Sequence, residues 1–477
     1  MIWTGLQRYS KMFIQFISGI ILARLLTPYD YGCIGMLMIF VTLAESFIDG
    51  GFGSALIQKK RPIQEDYSTI FFWNLGMAVL LYVVLFFLSP TIAGFYGIPL
   101  LSDVLRVQGI ILFFYAFNIV QRNQLRKKMN FKVLSIVAIA TSIVSLTVTI
   151  IMAYHGCGVW SLVTQQILIT FIPALVFWFY IKWRPIWIFS WRSFKELFSF
   201  GFYMFLSHLL NQFGGQIQGL LIGKFYDPST MGLYSKANGL ERLSGTSISQ
   251  VMTQVTYPLY SEAQDDKKAL GNMIRRLTMT LAYLTFPMMF ILLLCAKPII
   301  VLLYSIRWVG CVPFFQILCV AALADCLQSV NNQSIAAVGQ GRAMLTWTIV
   351  KRVMGIMFIL VGLLFYGMNG LLVGMVLNSW FSYFVNISQV SKYIGYKWWK
   401  QLRDISPILI ISSLIAAVCY FLSNCLGLTM YLDGLFRFGL YIVLYLVCSL
   451  LFDMEAYQYT KSIALQVFSR AFRKKEW

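Results

Sequence analysis

Charge is scarce in this chain and mostly of one sign. Only 12% of its 477 residues are charged, and 18 acids face 38 lysines and arginines. Water-soluble domains carry about twice that share of charge, so a soluble enzyme is excluded. Histidine is nearly absent: His155 and His208 lie far apart, and the nine cysteines form no CxxC pair. No metal site or cofactor is therefore expected, and the cysteines read as small buried apolar residues. No GxxxxGK[ST] phosphate loop is present, which excludes a built-in nucleotide-driven motor. There is no Asp-x-Asp element or sizeable extramembrane domain for a sugar transferase. No nucleophile and base stand out for a hydrolase.

What is abundant is apolar and aromatic surface, at 59% and 16% of residues. It falls in blocks of about twenty, the length at which a helix rising ~1.5 Å per residue crosses ~30 Å of hydrocarbon. The blocks predict an all-α integral membrane protein with about fourteen spans, near 10–26, 34–57, 69–88, 104–121, 132–153, 158–181, 201–223, 232–257, 277–296, 312–338, 344–366, 370–391, 405–425 and 434–452. The N-terminus runs into the first block without an A-x-A-like cleavage site, so it reads as a span and not a removable signal.

Basic residues occupy every second connection. Lys59-Lys60-Arg61, Arg126-Lys127-Lys128, Lys182 to Lys195, Lys267-Lys268 with Arg275-Arg276, and Lys392 to Arg403 fall on one side, with Arg8, Lys11, Arg342 and the tail Arg473-Lys474-Lys475. The alternate connections TPYDYG, SPTIAGFYGIP, HGCG and YGMNG carry none; Lys297, Arg307 and Arg437 are exceptions. The positive-inside rule then places both termini in the cytoplasm. The net charge of +20 is a topology signal, and no nucleic-acid partner is expected.

An internal repeat runs through the chain. Ile21 to Gly32, ILARLLTPYDYG, aligns with Leu221 to Gly232, LIGKFYDPSTMG, sharing a cation, a proline and a glycine at an offset of two hundred residues. With six spans per unit the repeats keep one orientation and relate by an axis along the membrane normal. The expected organisation is a six-helix bundle over 1–190, a second over 191–398, and a helix pair with a basic tail over 399–477. Such bundles hold substrate and rock to give alternating access, which favours a transporter.

Ionisable groups deep in spans default to function. Arg242, beside Glu241, lies about nine residues into its span, ~14 Å down. Lys351 and Arg352 are similarly deep, and Glu45 and Asp325 sit near the middle of theirs. Arg24, Lys224, Lys236 and Arg106 lie near the outer surface, where snorkelling competes with function. For the deep groups, internal ion pairs compete with a cationic cavity; cations outnumber acids there. The seventh span carries His208, Asn211, Gln212, Gln216 and Gln218, and much of this set shares one face, as expected of a hydrated cavity. Gln328, Asn331, Asn332 and Gln333 in the tenth add amides, which both donate to and accept from sugar hydroxyls.

ISGIILARLLTPYDYGCIGM (Ile17 to Met36) and FIDGGFGSALIQKK (Phe47 to Lys60) resemble the first helix pair of Wzx-type polysaccharide flippases, in the multidrug/oligosaccharidyl-lipid/polysaccharide exporter superfamily. LLIGKFYDPSTMGLYSKANGLERL (Leu220 to Leu243) resembles the family's second-repeat element, and TYPLYSEAQDD (Thr256 to Asp266) the loop that follows. The resemblance covers the whole chain and says almost nothing about the sugar. It implies a non-enzymatic, multi-pass protein of the bacterial cytoplasmic (inner) membrane. Its substrate would be an undecaprenyl-diphosphate-linked oligosaccharide, flipped from the cytoplasmic to the periplasmic leaflet for O-antigen, capsule or exopolysaccharide synthesis. Membrane lipids, a polysaccharide polymerase and chain-length proteins are the implied partners. Arg24, Lys224, Lys236 and Arg242 are implied contacts for diphosphate or acidic sugars. To these the polar residues Asn211, Gln212 and Gln218 and the deep Lys351 and Arg352 are added as candidate substrate contacts, with Glu45, Asp49 and Asp325 as candidate coupling carboxylates. Two other readings remain: a drug or cation antiporter, which needs acids in its cavity, and a membrane-embedded polymerase or ligase, which needs a long outer loop.

Overall fold

The two copies of the repeat begin helices by the same local chemistry with the residues exchanged. In the computed structural model α1 spans Ile2–Leu25 and α2 Pro28–Asp49. Thr27 caps α2: its hydroxyl accepts from the Asp30 amide, and the Asp30 carboxylate accepts from the Thr27 amide at 2.9 Å, with Pro28 in the first turn. In the second copy α9 (Trp191–Phe225) ends and α10 (Pro228–Glu262) begins, and here Asp227 caps, accepting from the Thr230 hydroxyl at 2.5 Å and the Thr230 amide at 3.4 Å. Both starts thus satisfy orphan amides with Pro where no amide is needed. Only Leu26 and Thr27 separate α1 from α2, so most of the expected TPYDYG loop is helix.

The structure describes residues 2–262, 266–452 and 454–461. Ala263 to Asp265 of the expected loop, the basic tail at 473–475, and the side chains of Arg8, Lys11 and Arg342 lie outside the described residues. The remaining helices are α3 (Phe52–Gln58), α4 (Gln64–Tyr96), α5 (Leu100–Gln108), α6 (Ile111–Lys127), α7 (Phe131–Tyr154), α8 (Val159–Tyr180), α11 (Lys267–Leu294), α12 (Ala296–Tyr304), α13 (Cys311–Ala337), α14 (Gly341–Ile394), α15 (Trp398–Leu426) and α16 (Met430–Leu451). Among the described residues there is no strand. Contact density divides the chain into two compact units, 1–235 and 236–477, with the seam inside α10.

Ten of the described helical stretches are long and apolar enough to cross a bilayer. The expected fourteen require four more: α1, the two 35-residue helices α9 and α10, and a second crossing within α14. Polar residues lower the hydropathy of α9 and α10. The 54-residue α14 is broken at Gly367, whose φ of 57° and ψ of −137° suit only glycine. YGMNG is thus a sharp turn between two helical halves. SPTIAGFYGIP is not a loop: α4 continues through Tyr96.

The helices expose apolar side chains and bury small polar ones. On α7, Ile143, Val144 and Ile151 are exposed, while Ser145 and Thr149 are buried with hydroxyls donated to carbonyls of their own helix. That is the pattern of a lipid-facing helix with a small-residue interface. In the first unit α7 packs on α1 and α8, and α2 on α4, α6, α8 and α9. In the second, α11 packs on α13 and α15. Tyr283 on α11 donates to the Ser449 hydroxyl at 3.0 Å, and Tyr445 donates to the Tyr283 carbonyl at 3.1 Å, tying α16 to α11.

Lys59 and Lys127 are among the residues of the basic runs that serve the fold. Lys59 pairs with the buried Asp66 at 3.0 Å and with Glu196 at 3.1 Å. Lys127 donates to the Leu56 and Ile57 carbonyls at 3.0 and 3.2 Å and to that of Lys59, satisfying the end of α3. The exception Arg437 pairs with Asp433 at 2.9 Å, so it adds no net charge to its end of the helices.

Candidate functional site

The polar residues fall into two clusters, one in each unit. In the first unit the repeated motifs meet. A Cβ placed on Gly32 would lie 1.7 Å from the Pro228 carbonyl oxygen, and one on Gly232 would lie 1.8 Å from that of Pro28. The starts of α2 and α10 therefore cross at backbone contact, each glycine seated against the other copy's proline. Met231, buried between them, meets the space above Gly35 and Gly219. Arg24 and Lys224 occupy the last turns of α1 and α9 beside this crossing. Lys224 donates to the Phe95 carbonyl at 2.7 Å and lies 4.1 Å from the centre of the Phe95 ring, so it anchors the end of α4. Just outside the helices, Thr230 donating to Asp227 holds that carboxyl below the usual carboxylate range.

Farther along α2, which packs on α9 and α6, come Glu45, Ser46 and Asp49. The Ser46 hydroxyl is 3.3 Å from His208 Nδ1. Asp49 lies in the field of His208 and Arg126, and Arg122 interacts with both Asp49 and Arg126. The seventh-span stripe is mixed in character. Asn211 is exposed and donates to the Ser207 carbonyl at 2.9 Å, whereas Gln218 has a buried Oε1 with no hydrogen-bond partner. Gln212 is half-buried. Arg122 escaped the sequence reading because the fourth span was ended at 121; α6 continues to Lys127, and the spacing of four between Arg122 and Arg126 would have shown the shared face.

In the second unit Lys236 is buried, not snorkelling, with its ammonium 5.2 and 5.8 Å from the ring centres of Tyr304 and Trp308. Arg242 is exposed and lies fourteen residues from the start of α10, ~21 Å along the axis. Glu241 interacts with Arg242 and Asp325, and Asp325 with Arg352. A chain of hydrogen bonds links α13 to α14. Lys351 donates to Asn386 Oδ1 at 2.9 Å, Asn386 to Gln328 Oε1 at 3.5 Å, and Gln328 to Asp325 Oδ1 at 2.7 Å; the Ser379 hydroxyl donates to Asp325 Oδ2 at 3.1 Å. Asn386 and Ser379 were missed, yet buried Ser379, Ser382, Asn386 and Gln389 recur at helical spacing.

This arrangement sets cations, carboxylates and amides side by side between helices, where they can pair with charged and hydroxyl groups. Of the cysteines, all free, Cys33, Cys295, Cys311, Cys319, Cys326 and Cys419 are buried and Cys425 is exposed.

Residues 21–313 match the family described as "Polysaccharide biosynthesis protein". The chain is 25% identical to the teichuronic acid biosynthesis protein TuaB of Bacillus subtilis (strain 168), over 72% of each chain. It is 22% identical to the lipopolysaccharide biosynthesis protein WzxC of Escherichia coli (strain K12), over 87% of each. Its fold is similar to that of the lipid II flippase MurJ in an inward closed conformation, with a TM-score of 0.73 and 16% identity over 95% of this chain and 99% of that one. An inward-facing multidrug resistance MATE transporter scores 0.65 at 15% identity over 81% and 94%. The chain belongs to the polysaccharide biosynthesis protein family, as a multi-pass helical membrane protein with the fold shared by MurJ and MATE transporters.

Proposed function

We propose that this protein flips an undecaprenyl-diphosphate-linked oligosaccharide from the cytoplasmic to the outer leaflet by alternating exposure of a cationic, amide-rich interior. Dragging a diphosphate and several sugars through hydrocarbon would strip them of water with no replacement partners. Cations supply partners for the phosphates and amides for the hydroxyls, while the polyprenyl tail stays in lipid. The observation that carries the reading is the chain from Lys351 through Asn386 and Gln328 to Asp325. An ammonium and two amides joined side by side between two helices support it, because they are the kind of partners such a substrate needs. Arg24, Lys224, Lys236, Arg242 and Arg352 are proposed as further phosphate or acidic-sugar contacts. Asn211, Gln212 and Gln218 are proposed as sugar contacts.

In this scheme the working parts are a bundle over 1–190, a second over 191–398 and the pair beyond, with both termini in the cytoplasm. Glu45, Asp49 and Asp325 couple transport to an ion, and a polymerase and chain-length proteins receive the product. The test is movement of undecaprenyl-diphosphate-linked oligosaccharide in proteoliposomes. Wild type moves it, and Arg242→Ala and Lys351→Met, folded by their melting curves, lose most of the rate. Movement of cationic drugs in place of the lipid-linked sugar would overturn the reading in favour of an antiporter.

A further inference from the structure

A pocket of about 1160 Å³ opens where the start of α11, the end of α14, the first turns of α15 and the segment after α16 meet. It lies on the end that carries the basic connections. Five cations line it: Lys267, Lys268, Arg275, Lys400 and Arg403. Arg275 is committed within the wall, to Asp404 at 2.8 Å and Glu455 at 2.7 Å, and Tyr396 donates to Asp404 at 2.6 Å. That leaves Lys267, Lys268, Lys400 and Arg403 exposed and without an ion pair among the described residues. The first amides of α11 are already capped by the Asp266 carboxylate, which accepts from the Lys268 and Ala269 amides at 2.9 and 3.0 Å, so the positive charge open to a ligand is that of the four side chains.

The deeper lining is apolar, with Met279, Ile394, Ile408, Ile411 and Met454. From the same α15, Ile410, Leu414, Val418 and Phe421 continue as an exposed apolar stripe. Trp398 and Trp399, exposed at the start of α15, are the residue type that settles at a membrane interface. Four unpaired cations call for a phosphate anion. The apolar floor and the stripe leading from it call for acyl chains attached to that phosphate, which a soluble phosphate compound lacks.

We propose that this pocket binds the headgroup of an anionic phospholipid of the surrounding leaflet and so joins the α15–α16 pair to α11. The site is separate from the polar chain of the candidate transport path and does not depend on the transported substrate. The test uses the full chain in phosphatidylcholine-containing micelles and reads binding of fluorescent phosphatidylglycerol by anisotropy. Each cation near an anionic lipid is worth roughly fivefold in affinity, so Lys268→Gln/Lys400→Gln/Arg403→Gln weakens binding on the order of 100-fold. The control Lys128→Gln/Lys132→Gln/Lys195→Gln, at basic residues outside the pocket lining, leaves it unchanged. The single variant Lys400→Glu weakens it too, should the triple variant not fold. Equal binding by wild type and the site variants, or equal loss in the control, overturns the proposal. Displacement of the lipid by millimolar inorganic phosphate as effectively as by unlabelled phosphatidylglycerol also overturns it, because the site would then read phosphate alone.

Discussion

A single methyl group at Gly32 tests whether the crossing of the repeated motifs is a working contact. In Gly32→Ala the new Cβ would stand 1.7 Å from the Pro228 carbonyl oxygen, where Cβ contacts under 3.0 Å essentially do not occur. The obstacle is backbone, so no rotamer change relieves it, and the helix starts must part by more than an ångström. Overpacking costs about 1–3 kcal/mol, here taken at the upper end, and alanine returns about 1 kcal/mol of helix propensity. The net ~2 kcal/mol against the crossed arrangement is about a 30-fold shift. The reporter is Met231→Cys as the sole cysteine, at a position 4% exposed between the helices, labelled by a membrane-impermeant maleimide. The labelling rate rises up to about 30-fold in Gly32→Ala and is unchanged in Gly94→Ala, where a Cβ meets nothing within 4 Å. An unchanged rate in folded Gly32→Ala protein would refute the reasoning.

Further outcomes follow from the same geometry. Asn386→Leu removes the acceptor 2.9 Å from Lys351 and costs about 1–3 kcal/mol of stability; combined with Lys351→Met the loss is smaller than the sum, and additive melting shifts would deny the link. Gly367→Ala forces a side chain into φ 57°, ψ −137° and destabilises by about 1–3 kcal/mol, whereas Gly239→Ala, in open space, does not lower the melting temperature. Because the Asp227 carboxyl is held below its ordinary value by Thr230, its contribution is present above the unfolded pKa of about 3.9. It is lost as pH falls through the lowered folded value, so acid melting profiles of Asp227→Asn are flatter there than those of wild type.

Much of this molecule was legible because the bilayer imposes long-range order on a linear text. Apolar blocks of membrane length and alternating basic connections are properties of single segments, and they carried the helical class. The repeat was equally visible, since Pro28 and Gly32 recur as Pro228 and Gly232 in any alignment of the chain with itself. Polarity and apolarity mix in α9 and α10, whose hydropathy is lowered by the side chains that make them candidates for function; the repeat and the alternation of basic connections still predict them as spans.

Pairing across distance was not legible. Nothing in the order of residues shows that each repeated glycine rests on the other copy's proline carbonyl, that Lys224 spends its charge on the end of α4, or that Lys236 is enclosed by Tyr304 and Trp308. The pairing of Arg437 with Asp433, by contrast, lies one turn apart on α16 and is legible from the spacing of four. The amino-acid order alone determined which segments are long and apolar enough to enter a membrane and which residue types interrupt them, because the energy of transfer is summed along one helix. Which deep residues touch one another was decided only by the tertiary structure, because hydrogen bonds and close backbone crossings depend on distances between helices.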